Sequence, residues 1–157
     1  MEAKELMAGD IVKQKHSGLI LKVSAIVPPY IRAEGEDGQF HEDTIEPIPL
    51  VKEIFEQNGF KKFNFHGIEG QHQWTWWLDT LTSVSLWCRE LNDNPKEGWM
   101  VRIDSPLASH CSKIEFLHQL QQTMRLAMSY RKNANSTIKR TMRTWNVEES
   151  KSRNGAG

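Results

Sequence analysis

The chain has little of what announces chemistry. It contains two cysteines, Cys88 and Cys111, too few for a disulfide framework, and two ordinary thiols in a reduced protein are expected. No stretch approaches the roughly 18 consecutive apolar residues that span a bilayer. The opening Met1-Glu2-Ala3-Lys4-Glu5-Leu6 has neither the basic nor the apolar region of a signal peptide. A soluble, cytoplasmic chain without a membrane partner follows as the expectation. Metal ligands paired as Cys-x-x-Cys or His-x-x-x-His are missing, and no catalytic or cofactor motif occurs. The expectation is therefore a protein with no cofactor, no metal and no catalytic residue.

Charge of one sign is also in short supply, because 20 basic residues balance 20 acidic ones. The balance is uneven along the chain. From Arg131 onward seven Lys or Arg stand against two Glu, so the remainder is acidic by the same margin. A basic tail on a mildly acidic body reads as an anion-seeking arm or as one that folds back.

Turn punctuation is what the first fifty residues do have. Gly9-Asp10, Ser17-Gly18, Pro28-Pro29 and Gly35 to Gly38 separate the extended runs Ile11 to Lys15, Leu19 to Ile26, Ile31 to Ala33 and Phe40 to Glu46. Short strands in so few residues bury an apolar face by curling, which predicts an SH3-like small β-barrel over residues 1–49. Pro49 suits the first turn of a short helix that carries Leu50, Val51, Ile54 and Phe55 and stops at Asn58-Gly59.

A second strand series follows. Trp74, Trp76 and Leu78 share one face by alternation, as do Val84, Leu86 and Cys88, and Trp99, Val101 and Ile103. For those faces to coincide, the loop after Leu78 must hold three residues. The resulting antiparallel sheet needs a cover. A helix from Lys113 to Tyr130 supplies one, started by a capping box of Ser112 and Glu115, with Leu117, Leu120, Met124 and Met128 inward and His118, Gln121, Gln122 and Arg125 outward. The fold class is thus α+β: an SH3-like unit at 1–49, a helix with a covered antiparallel sheet at 50–130, and a basic, partly helical or disordered tail at 131–157.

Candidate sites reduce to surfaces. His66 and His72, or His110 with Cys111 and His118, form a metal or nucleophilic site only through tertiary contacts, and ordinary surface or half-buried histidines are the simpler reading. Cys88 lies on the presumed core face, and Cys111 stands at the presumed helix start, where a thiolate would be favoured. Trp77 and Trp87 point away from the covered face. Exposed tryptophan is enriched at binding hot spots and stacks on unpaired bases; packing by another part of the chain is the alternative. The tail carries a weak helical pattern with Ile138, Met142 and Trp145 on one stripe and Lys139, Arg140 and Arg143 around it. These eight residues form the candidate partner-binding set.

Three stretches carry a family resemblance. Ala3-Lys4-Glu5-Leu6 precedes Gly9-Asp10-Ile11-Val12. Pro47-Ile48-Pro49-Leu50 is followed by Glu53 and Gly59-Phe60. Ile114-Glu115-Phe116-Leu117-His118-Gln119-Leu120-Gln121 closes the pattern. In order and spacing, over residues 3–128, this resembles a family of small uncharacterised proteins from Bacteroidales phages and integrated mobile elements. The resemblance brings no activity with it. It implies a non-enzymatic accessory protein that binds a host or phage protein, in host takeover or in blocking a defence. The alternative is an accessory protein that binds nucleic acid through the barrel, the Trp-rich face and the basic tail.

Overall fold

Short extended runs between glycine and proline turns pair by folding back on the run before. A computed structural model describes residues 1–65, 67–130 and 145–147 and has an α+β fold. It forms two compact units, one of residues 1–49 with 116–122, the other of 50–115 with the described residues beyond Gln122.

In the first unit, β1 (Ile11–Gln14), β2 (Ile20–Val27), β3 (Tyr30–Ala33), β4 (Phe40–His41) and β5 (Ile45–Glu46) form an antiparallel sheet in the order β4-β3-β2-β1-β5. Among the described residues no pairing joins β4 to β5. Val12, Leu21, Val23, Ile31 and Ala33 turn one way by alternation and bury with Ile45, Ala3 and Leu6. The single strand expected from Phe40 to Glu46 is broken by a 3₁₀ turn at Glu42–Thr44. The reason is local: the Asp43 N–H donates to the His41 ring and the Thr44 hydroxyl to the His41 carbonyl, both in competition with a ladder.

The second unit opens with α1 (Lys52–Gln57), whose N-cap is Val51. Pro49 lies outside that helix and makes an isolated bridge to Phe116 in the first unit. Then β6 (Lys61–Asn64), β7 (His72–Trp77), β8 (Ser83–Trp87), β9 (Trp99–Asp104) and β10 (Ser109–Ile114) make an antiparallel meander in sequence order. The Leu78 N–H donates to the Thr82 carbonyl across residues 79, 80 and 81. That loop length keeps the apolar alternation in register, so Trp76, Val84 and Ile103 share one row and Trp74, Leu86 and Val101 the next. Phe55 of α1 covers this face, with ring centroids 4.8 Å from Trp99 and 5.7 Å from Trp74. The indole N–H of Trp99 donates to the Leu50 carbonyl and that of Trp74 to Asp93, so both buried rings satisfy their polar edge.

The long helix starts later than expected. Ser112 lies in β10 opposite Val101, so it caps nothing, and α2 runs from Leu117 to Ser129. Gln119 fills the capping role, its side-chain oxygen accepting the Phe116 N–H at 3.0 Å. Leu117, Leu120 and Met124 of the expected stripe are fully buried, whereas Met128 is half-buried and Ala127 is the buried residue of that last turn. His118 and Gln121 are buried as well, against the outward placement expected for them. Among the described residues no helix is long and apolar enough to cross a membrane.

Candidate binding face

The side of the second sheet that turns away from Phe55 is built by the residues between the core positions. Register sets them in rows. Phe63, Gln73, Trp87 and Met100 lie in one; Lys61, Thr75, Ser85, Arg102 and Cys111 in the next; Trp77, Ser83, Asp104 and Ser109 in the third. The middle row is small at Thr75 and Ser85, while large side chains stand on either side. A trench of about 280 Å³ results, lined by Phe63, Gln73, Trp77, Ser83, Arg102 and Asp104, with Thr75 and Ser85 as its floor.

The floor is polar and ordered. The Thr75 and Ser85 hydroxyls are 3.0 Å apart, and the Gln73 amide N–H groups donate to both at 3.3 and 3.2 Å. Thr75, Ser83 and Ser85 are buried although they face outward, because the flanking side chains shade them. The walls are aromatic. Trp77 is 54% exposed and Phe63 49%, whereas Trp87 is half-buried, stacked on Phe65 at 5.8 Å with the Arg102 guanidinium 5.5 Å above its ring. The Arg102 Nε–H donates to Asp104 at 2.8 Å, which cancels the trench's one arginine charge.

The expected partner-binding residues therefore separate. Trp77 and Trp87 lie on this face, with Trp77 as the open ring. Trp145 is half-buried, its ring 6.4 Å from that of Phe60, and the neighbouring Asn146 exchanges hydrogen bonds with Asn58. It takes part in the packing of the second unit. Ile138, Lys139, Arg140, Met142 and Arg143 lie outside the described residues, as does His66. Sequence alternation identified the face. It missed the polar floor, although the signal was present: Thr75, Ser83 and Ser85 are small residues at outward positions between large aromatics.

His72, His118 and Cys88 take structural places. The His72 Nδ1 is 2.8 Å from Asp93, which is buried and also accepts from Trp74. Among the described residues no group of three His, Cys, Asp or Glu side chains is arranged to hold a metal ion. Cys88 is buried, and desolvation, with Glu90 nearby, pushes its thiol up to about 11, away from nucleophilic use. Cys111 belongs to β10, so the thiolate-favouring helix start expected around it does not exist. His118 is stacked on Phe116, its Nδ1 buried without a partner, and desolvation lowers its pKa against the opposing pull of Asp10 and Glu5.

Gln121 explains the polar face of α2. Its side-chain oxygen accepts the Ile11 N–H at 2.8 Å and its amide donates to the Gly9 carbonyl at 3.1 Å. Gln122 donates to the Glu5 carbonyl and to Asp10. Both glutamines serve the first unit's own backbone, which assigns the His118-Gln119-Leu120-Gln121 stretch to structure. No family model, curated protein or solved structure matches the chain.

Proposed function

We propose that this chain is a non-enzymatic interaction protein that engages a protein partner through the open face of its second sheet. The observation that carries the reading is the trench: two half-exposed aromatic walls, Phe63 and Trp77, flank an ordered polar floor. Large rigid side chains that lose little entropy on binding, set around positioned polar groups, are the composition of interaction hot spots. The shielded, protonated thiol of Cys88 and the locked His72–Asp93 pair support a binding role over catalysis. The resemblance of the sequence pattern to small phage and mobile-element proteins supports an accessory role toward a host or phage protein. The strand order of the first unit, with a 3₁₀ turn before the strand that returns to β1, supports an SH3-like first unit.

The test is capture from host lysate by the full chain, with and without nuclease, against Trp77→Ala and Phe63→Ala variants. A discrete protein retained after nuclease and lost from both variants is the expected result. Capture indifferent to both substitutions refutes the face. Capture abolished by nuclease refutes the protein partner and transfers the aromatic walls to base stacking.

A further inference from the structure

We infer that the trench takes a proline-rich segment of the partner in the polyproline II conformation, an inference that rests on the open face being the binding surface. The hydrogen-bonding groups of the trench are unevenly matched. Most acceptors of the trench are engaged: the two Asp104 oxygens accept from Arg102 and from the Ser109 hydroxyl, and the Thr75 and Ser85 oxygens accept from Gln73, which leaves the Gln73 carbonyl oxygen and the Ser83 hydroxyl as the open acceptors of the lining. Its donors are in surplus. The two floor hydroxyls share one hydrogen between them, which leaves the other O–H to offer. Arg102 has Nη donors beyond the Nε–H given to Asp104. The indole N–H of Trp77 in the lining, and that of Trp87 in the row bordering it, meet no acceptor among the described residues, in contrast to those of Trp74 and Trp99.

A surplus of donors selects a ligand made of acceptors. Phosphates qualify, but the one cation in the lining, Arg102, is paired with Asp104, and Lys61 of the same row stands outside the lining on the edge strand, so an anion in the trench meets no unpaired charge. Sugar hydroxyls and ordinary peptide present donors as often as acceptors. A proline-rich segment presents carbonyls and no N–H, and its flat apolar rings suit the faces of Trp77 and Phe63. Its backbone is already extended, so little ordering cost opposes binding. Length agrees as well. From Gln73, opposite Phe63, to Trp77 is two same-face steps along β7, and Phe63 lies one strand over, so the two wall residues stand about 14 Å apart by strand spacings. At about 3.1 Å per residue, polyproline II covers that distance in four to five residues.

The test follows the six tryptophan indole N–H signals of the isotopically labelled full chain by NMR. The probe is an uncharged, end-blocked oligoproline of about ten residues, long enough to overrun the trench. A Gly-Ser peptide and a thymidine oligonucleotide of equal length serve as comparisons. The expected result is saturable movement of the Trp77 and Trp87 signals with oligoproline alone, while Trp74 and Trp99 stay in place. Phe63→Ala and Trp77→Ala each weaken that binding by at least about tenfold, and unmoved Trp74 and Trp99 signals in the variants certify the fold. No movement, or equal movement with the Gly-Ser peptide, overturns the inference; movement with the oligonucleotide instead hands the trench to bases. If Trp77→Ala abolishes lysate capture while oligoproline moves nothing, the segment is wrong and the face stands. If both fail, both readings fall together.

Discussion

Replacing Gln121 with methionine tests how the first sheet is completed. Strand β5 is two residues long and pairs only with Lys13 and Gln14, so it ends before it can serve Ile11. The Ile11 N–H points to that vacant side, because the Val23 N–H to Asp10 carbonyl bond makes the facing pairs to β2 fall on Asp10 and Val12. Gln121 stands in for the missing strand, accepting from Ile11 and donating to Gly9 as a peptide group would. Methionine keeps the length and much of the volume but offers neither function. Each buried backbone group left without a partner costs about 1–3 kcal/mol, and Gly9 is only half-buried, so a total near 2–4 kcal/mol is expected. Amide hydrogen exchange reads this directly: protection of Ile11 should fall by more than about tenfold, since about 1.4 kcal/mol is one decade. Urea unfolding followed by far-UV circular dichroism should show the same loss globally. A variant that loses less than about 0.5 kcal/mol and leaves Ile11 protected refutes the strand-substitute role.

Two further outcomes follow from the buried titratable groups. The pKa of His118 is lowered from 6.5 in the folded chain, so below that value the unfolded chain binds more protons; stability complete above about pH 6.5 should fall as the solution is acidified, and His118→Phe should flatten that slope in denaturant titrations across the range. Thiol labelling of the native chain at mildly alkaline pH should modify Cys111 quickly and Cys88 only on unfolding, because Cys111 is exposed while the Cys88 thiol is buried and pushed up to about 11. Rapid double labelling of folded protein would contradict that assignment.

Much of the second sheet was legible in the chain because alternation is a local property. The outward direction of Trp77 follows from the inward direction of Trp74 and Trp76, and the three-residue loop after Leu78 follows from the need to keep both strands in phase. The break at Glu42–Thr44 was not legible, since it depends on the His41 ring and carbonyl winning over ladder bonds. The capping pair Ser112 and Glu115 misled for a similar reason. Its spacing is local, but β9 recruits Ser112 as a ladder partner, and pairing with a neighbouring strand outweighs a cap worth about 1 kcal/mol.

The sequence by itself determined the α+β class, the inward stripe of Leu117, Leu120 and Met124, and the pair of outward tryptophans, all of which rest on the periods of strand and helix. Only the tertiary structure decided that Gln121 completes β1, that Thr75 and Ser85 join in a floor under Gln73, and that Asp104 silences Arg102. Those contacts join residues on different strands, or more than a hundred positions apart, and no periodicity within one segment encodes which polar group another segment will bring to meet it.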